Sequence, residues 1–502
     1  MFLRSIVLRH PRSFYNFGAD IMHRNITIDT SPPQARWMKD TLDRSVFHRT
    51  VPVLAARVSA AKTASVLKAE AMQGSAHFLT VGIFNRKGSL PPFLTHTSCP
   101  RSFLINLRRV PSVIADTEHP RGDNKLVLFR VQQEADLSTD ARSYLTSQSA
   151  ALTTHNIELT YDYWTADDIL NVILPEELLD GSPSGFSATG HLAHMNLNNE
   201  YLPYKHIIGQ VILDKNKRLR TVVNKLDSID TQFRFFKMEL LAGEPDYVVE
   251  HNESDCRFKF DFSRVYWNSR LHTEHARLVN MFQPDELVAD VFAGVGPFAL
   301  PAAKKGCAVL ANDLNPESYK YLDVNIRDNN VSDRVRASCV DGREFIRHAP
   351  RWIAADPLPG YSGPPLSQSQ RRAQSRQQSR GFPLPPRPSP RKRISHFVMN
   401  LPDSAITFLD AFRGIFAPSS GSGSVIDLQT LYDVMPMVHC HCFTRELERD
   451  AAERDIRQRV EEQLGCVLSA ENEVGLHLVR SVAPNKDMYC ISFRLPRTTA
   501  FG

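Results

Sequence analysis

The 502-residue chain predicts an α/β fold. Its largest part reads as a mostly parallel sheet covered by helices on both faces, preceded by smaller α+β modules. Three observations carry this. Between Glu286 and Pro496 continuous apolar runs alternate with stretches of helical length, as in a sheet buried on both faces. The first run ends in a glycine turn, Asp290-Val-Phe-Ala-Gly-Val-Gly-Pro-Phe298. The next three runs each end in polar residues, at Asp313, at Asp341-Gly342 and at Asn400-Leu-Pro-Asp403.

Composition sets outer bounds. An apolar fraction of 42% and a charged fraction of 23% are those of an ordinary globular protein. No apolar run reaches the roughly 18 residues of a membrane-spanning helix. The eight cysteines include no Cys-x-x-Cys pair and several fall in apolar runs, so buried reduced thiols are expected. Within His439-Cys440-His441-Cys442, successive strand residues face opposite ways, which predicts a core strand and no shared metal ion. The net charge is +5, but residues 357–402 hold eight Lys or Arg and no acid; without them the rest sums to −3. Global charge therefore says little about nucleic-acid binding.

Taken in order, residues 1–34 form a basic leader. Arg4, Arg9 and Arg12 precede the first acid, Asp20, beside an apolar side of Leu3, Ile6, Val7 and Leu8. This pattern resembles a mitochondrial transit peptide, and Met22 offers an internal start without it. A first module is expected over 35–149, with strand then helix at 51–67 and strands at 104–114 and 125–131. A second α+β module is expected over 150–262, with a strand at 157–163 and a helix at 166–174 ended by Pro175. The large domain then spans 263–502. Its predicted strands are 287–292, 307–312, 335–340, 395–400 and 435–443. Its predicted helices are 297–305, 316–329, 342–349, 404–414 and 445–464. Two closing strands, 475–483 and 487–495, flank Pro484-Asn485-Lys486 as an antiparallel hairpin. The Pro-, Ser-, Gln- and Arg-rich stretch 357–393 has too little apolar surface to order itself and is expected to be a disordered insertion.

The strand ends read as a nucleotide-cofactor pocket. Gly294 and Gly296 let the backbone approach a ligand beyond Asp290, and Pro297 suits the first turn of a helix. Asp313, at the end of the second strand, is placed to accept hydrogen bonds from ribose hydroxyls. Asp341 and Gly342 offer a polar side chain and a bare backbone for an adenine ring. A nicotinamide enzyme needs the first two features and not the third. Each acid alone also reads as a helix N-cap. Asn400 offers a donor and an acceptor, Pro402 stiffens the backbone beside it, and Asp403 reads as a helix cap.

The segment Arg264-Val-Tyr-Trp-Asn-Ser-Arg-Leu-His-Thr-Glu-His275 resembles the Tyr-Phe-Ser-Pro-Arg-Leu…Glu-Arg motif of archaeal and eukaryotic tRNA (guanine-37-N1)-methyltransferases. So do the glycine turn, Asn312-Asp-Leu-Asn-Pro316, Asp341-Gly-Arg-Glu-Phe345 and Asn400-Leu-Pro402. Gly190-His-Leu-Ala-His-Met-Asn-Leu197, Gln232-Phe-Arg-Phe235, Leu241-Ala-Gly243 and Val479-Arg-Ser-Val-Ala-Pro484 are similar to that family too. The likeness spans roughly 150–502. It implies a Rossmann-like class I S-adenosylmethionine methyltransferase domain, with S-adenosyl-L-methionine as cofactor, no metal, and a monomer acting on the tRNA anticodon stem-loop and body. It implies that Glu274 is the general base for guanine N1, that Arg234 is the cation near O6, and that Tyr266 holds the base. Asn400 and Pro402 would shape the pocket at the transferable methyl. His275, Asp313, Leu314, Asp341, Gly342 and Asn400 would contact the cofactor. The motif departs at Trp267-Asn268, at Ser269 where proline is usual, and at His275 where archaeal members carry Arg. Competing readings are a wyosine-pathway aminocarboxypropyl transferase, whose corner lacks the Asn, a non-catalytic tRNA-binding protein, and a nicotinamide dehydrogenase. A mitochondrial leader with Met22 predicts mitochondrial, cytoplasmic and nuclear pools.

Overall fold

The computed structural model describes residues 28–73, 103–119, 123–181, 183–229, 236–363, 367–379, 388–418 and 427–502. The chain divides into two compact units between residues 179 and 180. The leader up to residue 27, Cys99 and Arg234 lie outside the described residues.

In the first unit, strands β1 (Arg49–Ser59), β2 (Val113–Ala115), β3 (Asn124–Leu128) and β4 (Ala151–Leu159) form an antiparallel sheet in the order β2-β3-β1-β4. Helices α1 (Ala60–Lys68), α2 (Thr139–Ser147) and α3 (Ala166–Ile173) accompany it. β1 and α1 fall where strand-then-helix was expected. Three expectations are corrected. The strand expected at 157–163 begins at Ala151, and residues 161–163 form a turn. β4 pairs with β1 from Ala151↔Arg57 to Leu159↔Arg49, so this sheet crosses the boundary expected at 150. Residues 104–114 form no continuous strand; short bridges at Leu104 and Leu107 precede β2, and Arg109 sits at φ 60°, which breaks the run.

The second unit opens with β5 (Ser187–Thr189), β6 (Leu192–Met195), helix α4 (Lys205–Lys215), β7 (Thr221–Ile229) and β8 (Phe236–Gly243). The four strands form one sheet in that order, with β6 and β7 parallel. The hairpin β9 (Val248–Glu253) and β10 (Cys256–Asp261) follows. Its Phe258 and Phe260 are buried with Val288 and Phe298 in the core of the large sheet. A module boundary at 262 would separate this hairpin from the core that buries it.

The large sheet comprises β11 (Leu287–Asp290), β12 (Ala308–Asn312), β13 (Val335–Ser338), β14 (His396–Met399), β15 (Met437–Thr444), β16 (Gly475–Ala483) and β17 (Lys486–Arg494). The order is β13-β12-β11-β14-β15-β17-β16. The first five strands are parallel and the closing hairpin is antiparallel, as the sequence predicts. Alternate strand residues face opposite cores. Val288, Val309 and Val398 pack with α5 (His272–Met281), α6 (Ala299–Lys305) and α7 (Pro316–Asp328). Leu287, Ala289 and Leu310 pack on the other face with α8 (Gly342–Ala355), the 3-10 segment Ala405–Phe412 and α11 (Arg449–Leu464). Burial on both faces explains why these strands are continuous apolar runs. α7 starts sharply because Asn315 accepts from the Glu317 amide and Pro316 occupies the first turn.

The segment 357–393 is described in part. It carries the polar helix α9 (Gln368–Ser379), and its two ends meet at a Leu358↔Arg391 bridge. The Arg391 guanidinium donates to the carbonyls of Pro284, Glu286, Gly306 and Pro359, which closes the neck of the insertion. Short helices α10 (Leu428–Leu431) and α12 (Arg497–Phe501) complete the fold.

β15 is the core strand predicted. Cys440 and Cys442 join one face, and the fully buried His439 and His441 lie on the other. Burial holds His439 well below the usual histidine range, so it is neutral. It bonds His396 at 3.0 Å and Ser492 at 2.7 Å, which satisfies both ring nitrogens.

Candidate active site

The carboxyl ends of β11, β12 and β14 lie side by side in the sheet. Gly294 has φ 56°, and a Cβ there would meet nothing within 4 Å, so this turn faces open space. Gly296 has φ 100° and lies against Leu300 and Leu322, where a side chain would not fit. The Gly294 amide donates to one oxygen of Asp313 at 2.8 Å, and the Asn315 amide donates to the other at 2.9 Å. Asp313 thus ties two loops together and is no helix cap; Asn315 caps α7. Asn312, which opens the Asn312–Pro316 motif but was assigned no role from the sequence, stitches three strand ends through Val291, Val340 and Ser338.

Two polar groups at these strand ends lack hydrogen-bond partners among the described residues. The Asp290 carboxyl is fully buried, and neither oxygen has a hydrogen-bond partner among the described residues. Burial and the nearby Asp313 push it up to about 8; the Phe292 amide opposes the shift without reaching hydrogen-bond geometry. Asn400 Oδ1 is likewise buried and unpartnered. Orphaned buried acceptors on this scale are costly and point to a ligand that supplies donors. Leu314 is 42% exposed and forms an apolar lip. Gly342 packs against Phe292 and Phe408, and Asp341 caps α8 through the Arg343 and Glu344 amides. Here the capping role of the acid is realised. Asp403 is not the cap of its segment; Ser404 holds that position. The pocket residues fit S-adenosyl-L-methionine: acids for ribose hydroxyls and an ammonium, an apolar lip for a purine, and an unpartnered amide carbonyl.

Glu274 lies on the first turn of α5 and is 3% exposed. Arg277, one turn on, grips it with two hydrogen bonds of 2.6 and 2.8 Å. His441 donates to the same carboxylate from β15 at 2.8 Å, and His477 of β16 stands 3.6 Å away. Burial alone would raise the Glu274 pKa, but Arg277 and His441 outweigh it and hold it at about 2. Burial likewise disfavours charge on His441, yet the neighbouring Cys490 and Glu274 raise it to about 10. Glu274, His441 and Cys490 have donor atoms within 4.8 Å of one another. The guanidinium already occupies both carboxylate oxygens, so this cluster is complete as an ion pair. His275 is buried, but its Nδ1 is engaged by Glu253 at 2.6 Å and its ring stands edge-on to Phe298.

Tyr266 is 43% exposed, not core, and lines a cavity of about 820 Å³. Around it stand His194, Lys225, Arg270, Phe443 and Arg480. His194 stacks on Phe262 at 5.0 Å, and burial with the Lys225 and Arg270 charges pushes it down to about 3. Burial and Arg270 lower Lys225 to about 8. The Phe443 amide donates to Pro402 O at 3.1 Å, tying the Asn400–Pro402 turn to the cavity wall. These cations escape sequence reading because they come from separate segments. The basic residues flanking Tyr266 and Val479 are the available signal.

Residues 249–356 match a family described as the TRM5/TYW2 methyltransferase domain, and 166–246 match a TYW2 N-terminal domain. A tRNA (guanine(37)-N(1))-methyltransferase of Coprinopsis cinerea is 55% identical over 95% of this chain and 99% of its own. That of Saccharomyces cerevisiae is 43% identical over 93% and 94%. The chain belongs to the tRNA (guanine(37)-N(1))-methyltransferase family. Among solved structures, Trm5b from Pyrococcus abyssi matches with a TM-score of 0.51 at 21% identity, covering 88% of this chain and 99% of that one, a likeness of fold. The family membership agrees with the motifs around Glu274, Asp313, Asp341 and Asn400.

Proposed function

We propose that this protein methylates N1 of guanosine-37 in the tRNA anticodon loop, using S-adenosyl-L-methionine. The observation that carries this is the near-full-length identity to relatives of that activity, 55% and 43%. The same relatives disfavour an aminocarboxypropyl transferase or an inert binding protein. When bound, the cofactor supplies an electrophilic methyl on a sulfonium, which departs as a neutral thioether.

The residues divide the remaining work. Guanine N1 carries a proton and has no free lone pair for attack, so it must be deprotonated, and charge then builds on O6. Glu274 accepts the proton. Tyr266, at the mouth of the cationic cavity, holds the flipped base. Lys225, Arg270 and Arg480 bind flanking phosphates. Asn400, with its unpartnered carbonyl oxygen, and Pro402 orient the transferable methyl. Asp290, Asp313 and Asp341 hold the cofactor's polar groups, beside Gly294, Gly296 and Leu314. Arg234 remains the proposed cation near O6.

The test is methyl transfer from labelled cofactor to transcripts carrying G37 or A37, with nucleoside analysis. Label appearing as 1-methylguanosine only with G37 is expected; an aminocarboxypropyl adduct would overturn the reading. Glu274→Gln should retain cofactor affinity and lose about 10²–10⁴ in single-turnover rate. We also propose a monomer, checked by sedimentation, and pools in mitochondria, cytoplasm and nucleus, checked by imaging forms that start at Met1 and at Met22. The leader's Arg4, Arg9 and Arg12 support the mitochondrial share.

A further inference from the structure

A base with a pKa near 2 is a poor acceptor for a weakly acidic N1 proton, because general bases work best near the operating pH. The surroundings of Glu274 must therefore be part of how it works. Oε1 accepts twice, from Arg277 Nη2 at 2.8 Å and from His441 Nε2 at 2.8 Å. Oε2 accepts once, from Arg277 Nε at 2.6 Å, with His477 farther off at 3.6 Å. The two oxygens are not equivalent.

We infer that Arg277 and His441 are positioning residues that fix Glu274 and set its basicity, with Oε2 as the proton-accepting atom. This rests on the proposed role of Glu274 in N1 methylation. His441 saturates Oε1 from a rigid central strand and is fully buried, so it clamps the carboxylate. Its Nε2 donates to the ionised carboxylate at 2.8 Å. Arg277 is the adjustable partner: its side chain is 27% exposed and it sits on the same helix. As the N1–H bond breaks, the proton moves to Oε2 and the N1 electron pair turns to the methyl carbon. Arg277 must then loosen from Oε2, since the protonated carboxyl no longer attracts the guanidinium. Among the described residues, the charged and titratable groups around Glu274 are Arg277 on α5, His441 and the neutral His439 on β15, His477 on β16, and, beside His441, Cys490 on β17 and Asp290 on β11.

The experiment combines two pH titrations on the full chain. Infrared difference spectra, with Glu274→Gln as the blank, follow the Glu274 carboxyl without substrate. Single-turnover methyl transfer to a G37 transcript follows the reaction. Wild type should show no carboxyl protonation and no acid limb above about pH 4. Arg277→Gln removes the cation while burial remains, so both transitions should rise by at least about one pH unit. Arg277→Lys, which keeps charge but not the bidentate grip, should fall between. His441→Gln keeps a donor and should move the limb less than His441→Leu. Unmoved transitions in folded Arg277→Gln overturn the inference. Wild type that transfers no methyl to G37 overturns the functional reading instead, while the infrared titration still judges the coupling.

Discussion

Asp290 should destabilise the ligand-free protein as pH rises, and replacing it should remove that dependence. Its carboxyl is fully buried without hydrogen-bond partners among the described residues, and its pKa is raised from 3.8 to about 8. The folded state therefore keeps its proton over a window in which the unfolded chain has lost it. Stability falls as pH rises through that window, from roughly 4 to 8, because the folded state binds more protons than the unfolded one. Between pH 6 and 8 the linkage amounts to on the order of 2 kcal/mol. Asp290→Asn is nearly isosteric and carries no charge. The assay is urea unfolding of the cofactor-free protein at pH 6 and 8, followed on the transition of the unit containing Asp290. Wild type should lose about 2 kcal/mol more than the variant across that interval, and the variant should be the more stable at pH 8. Equal losses in both proteins would refute the reasoning. If Asp290 holds the cofactor as proposed, cofactor affinity should also fall in the variant.

Gly294→Ala should cost about 1–2 kcal/mol of stability from its left-handed backbone alone, since its Cβ meets open space; calorimetric titration should show a larger loss in cofactor binding. Arg480→Ala and Arg270→Ala should each weaken tRNA binding and lower the slope of log Kd against log salt by about 0.7–0.9 for each phosphate no longer neutralised, with cofactor affinity unchanged. Arg391→Ala frees four carbonyls at the neck of the insertion. It should cost about 2–4 kcal/mol, seen as a lower thermal midpoint with no change in cofactor affinity at low temperature.

The parallel sheet was legible in the sequence because strands buried on both faces must be apolar throughout. β11, all four residues of which are buried, is the clearest case. The acids closing β11 and β12 were legible for a related reason: polar residues at the end of such runs mark where the strand leaves the core. Motif order along the chain was enough to place Glu274, Asp313 and Asn400 in one family. Local signals failed where pairing is remote. β4 begins at Ala151 because β1 is there to pair with it, almost a hundred residues away in sequence. The insertion's neck is ordered because Arg391 finds carbonyls that no composition rule anticipates.

The sequence by itself determined the sheet, the strand-end acids and the family, since these follow from burial periodicity and ordered motifs. Only the tertiary structure decided the state of Glu274. His441 is 167 residues from it in the chain, yet donates to it at 2.8 Å. It separated Asp341, a helix cap, from Asp313, a loop tie, and showed Asp290 to be an unpartnered buried acid. The physical reason is that a residue's type sets which bonds it is able to make. Burial and the partners delivered by distant strands set which bonds it makes and at what pKa.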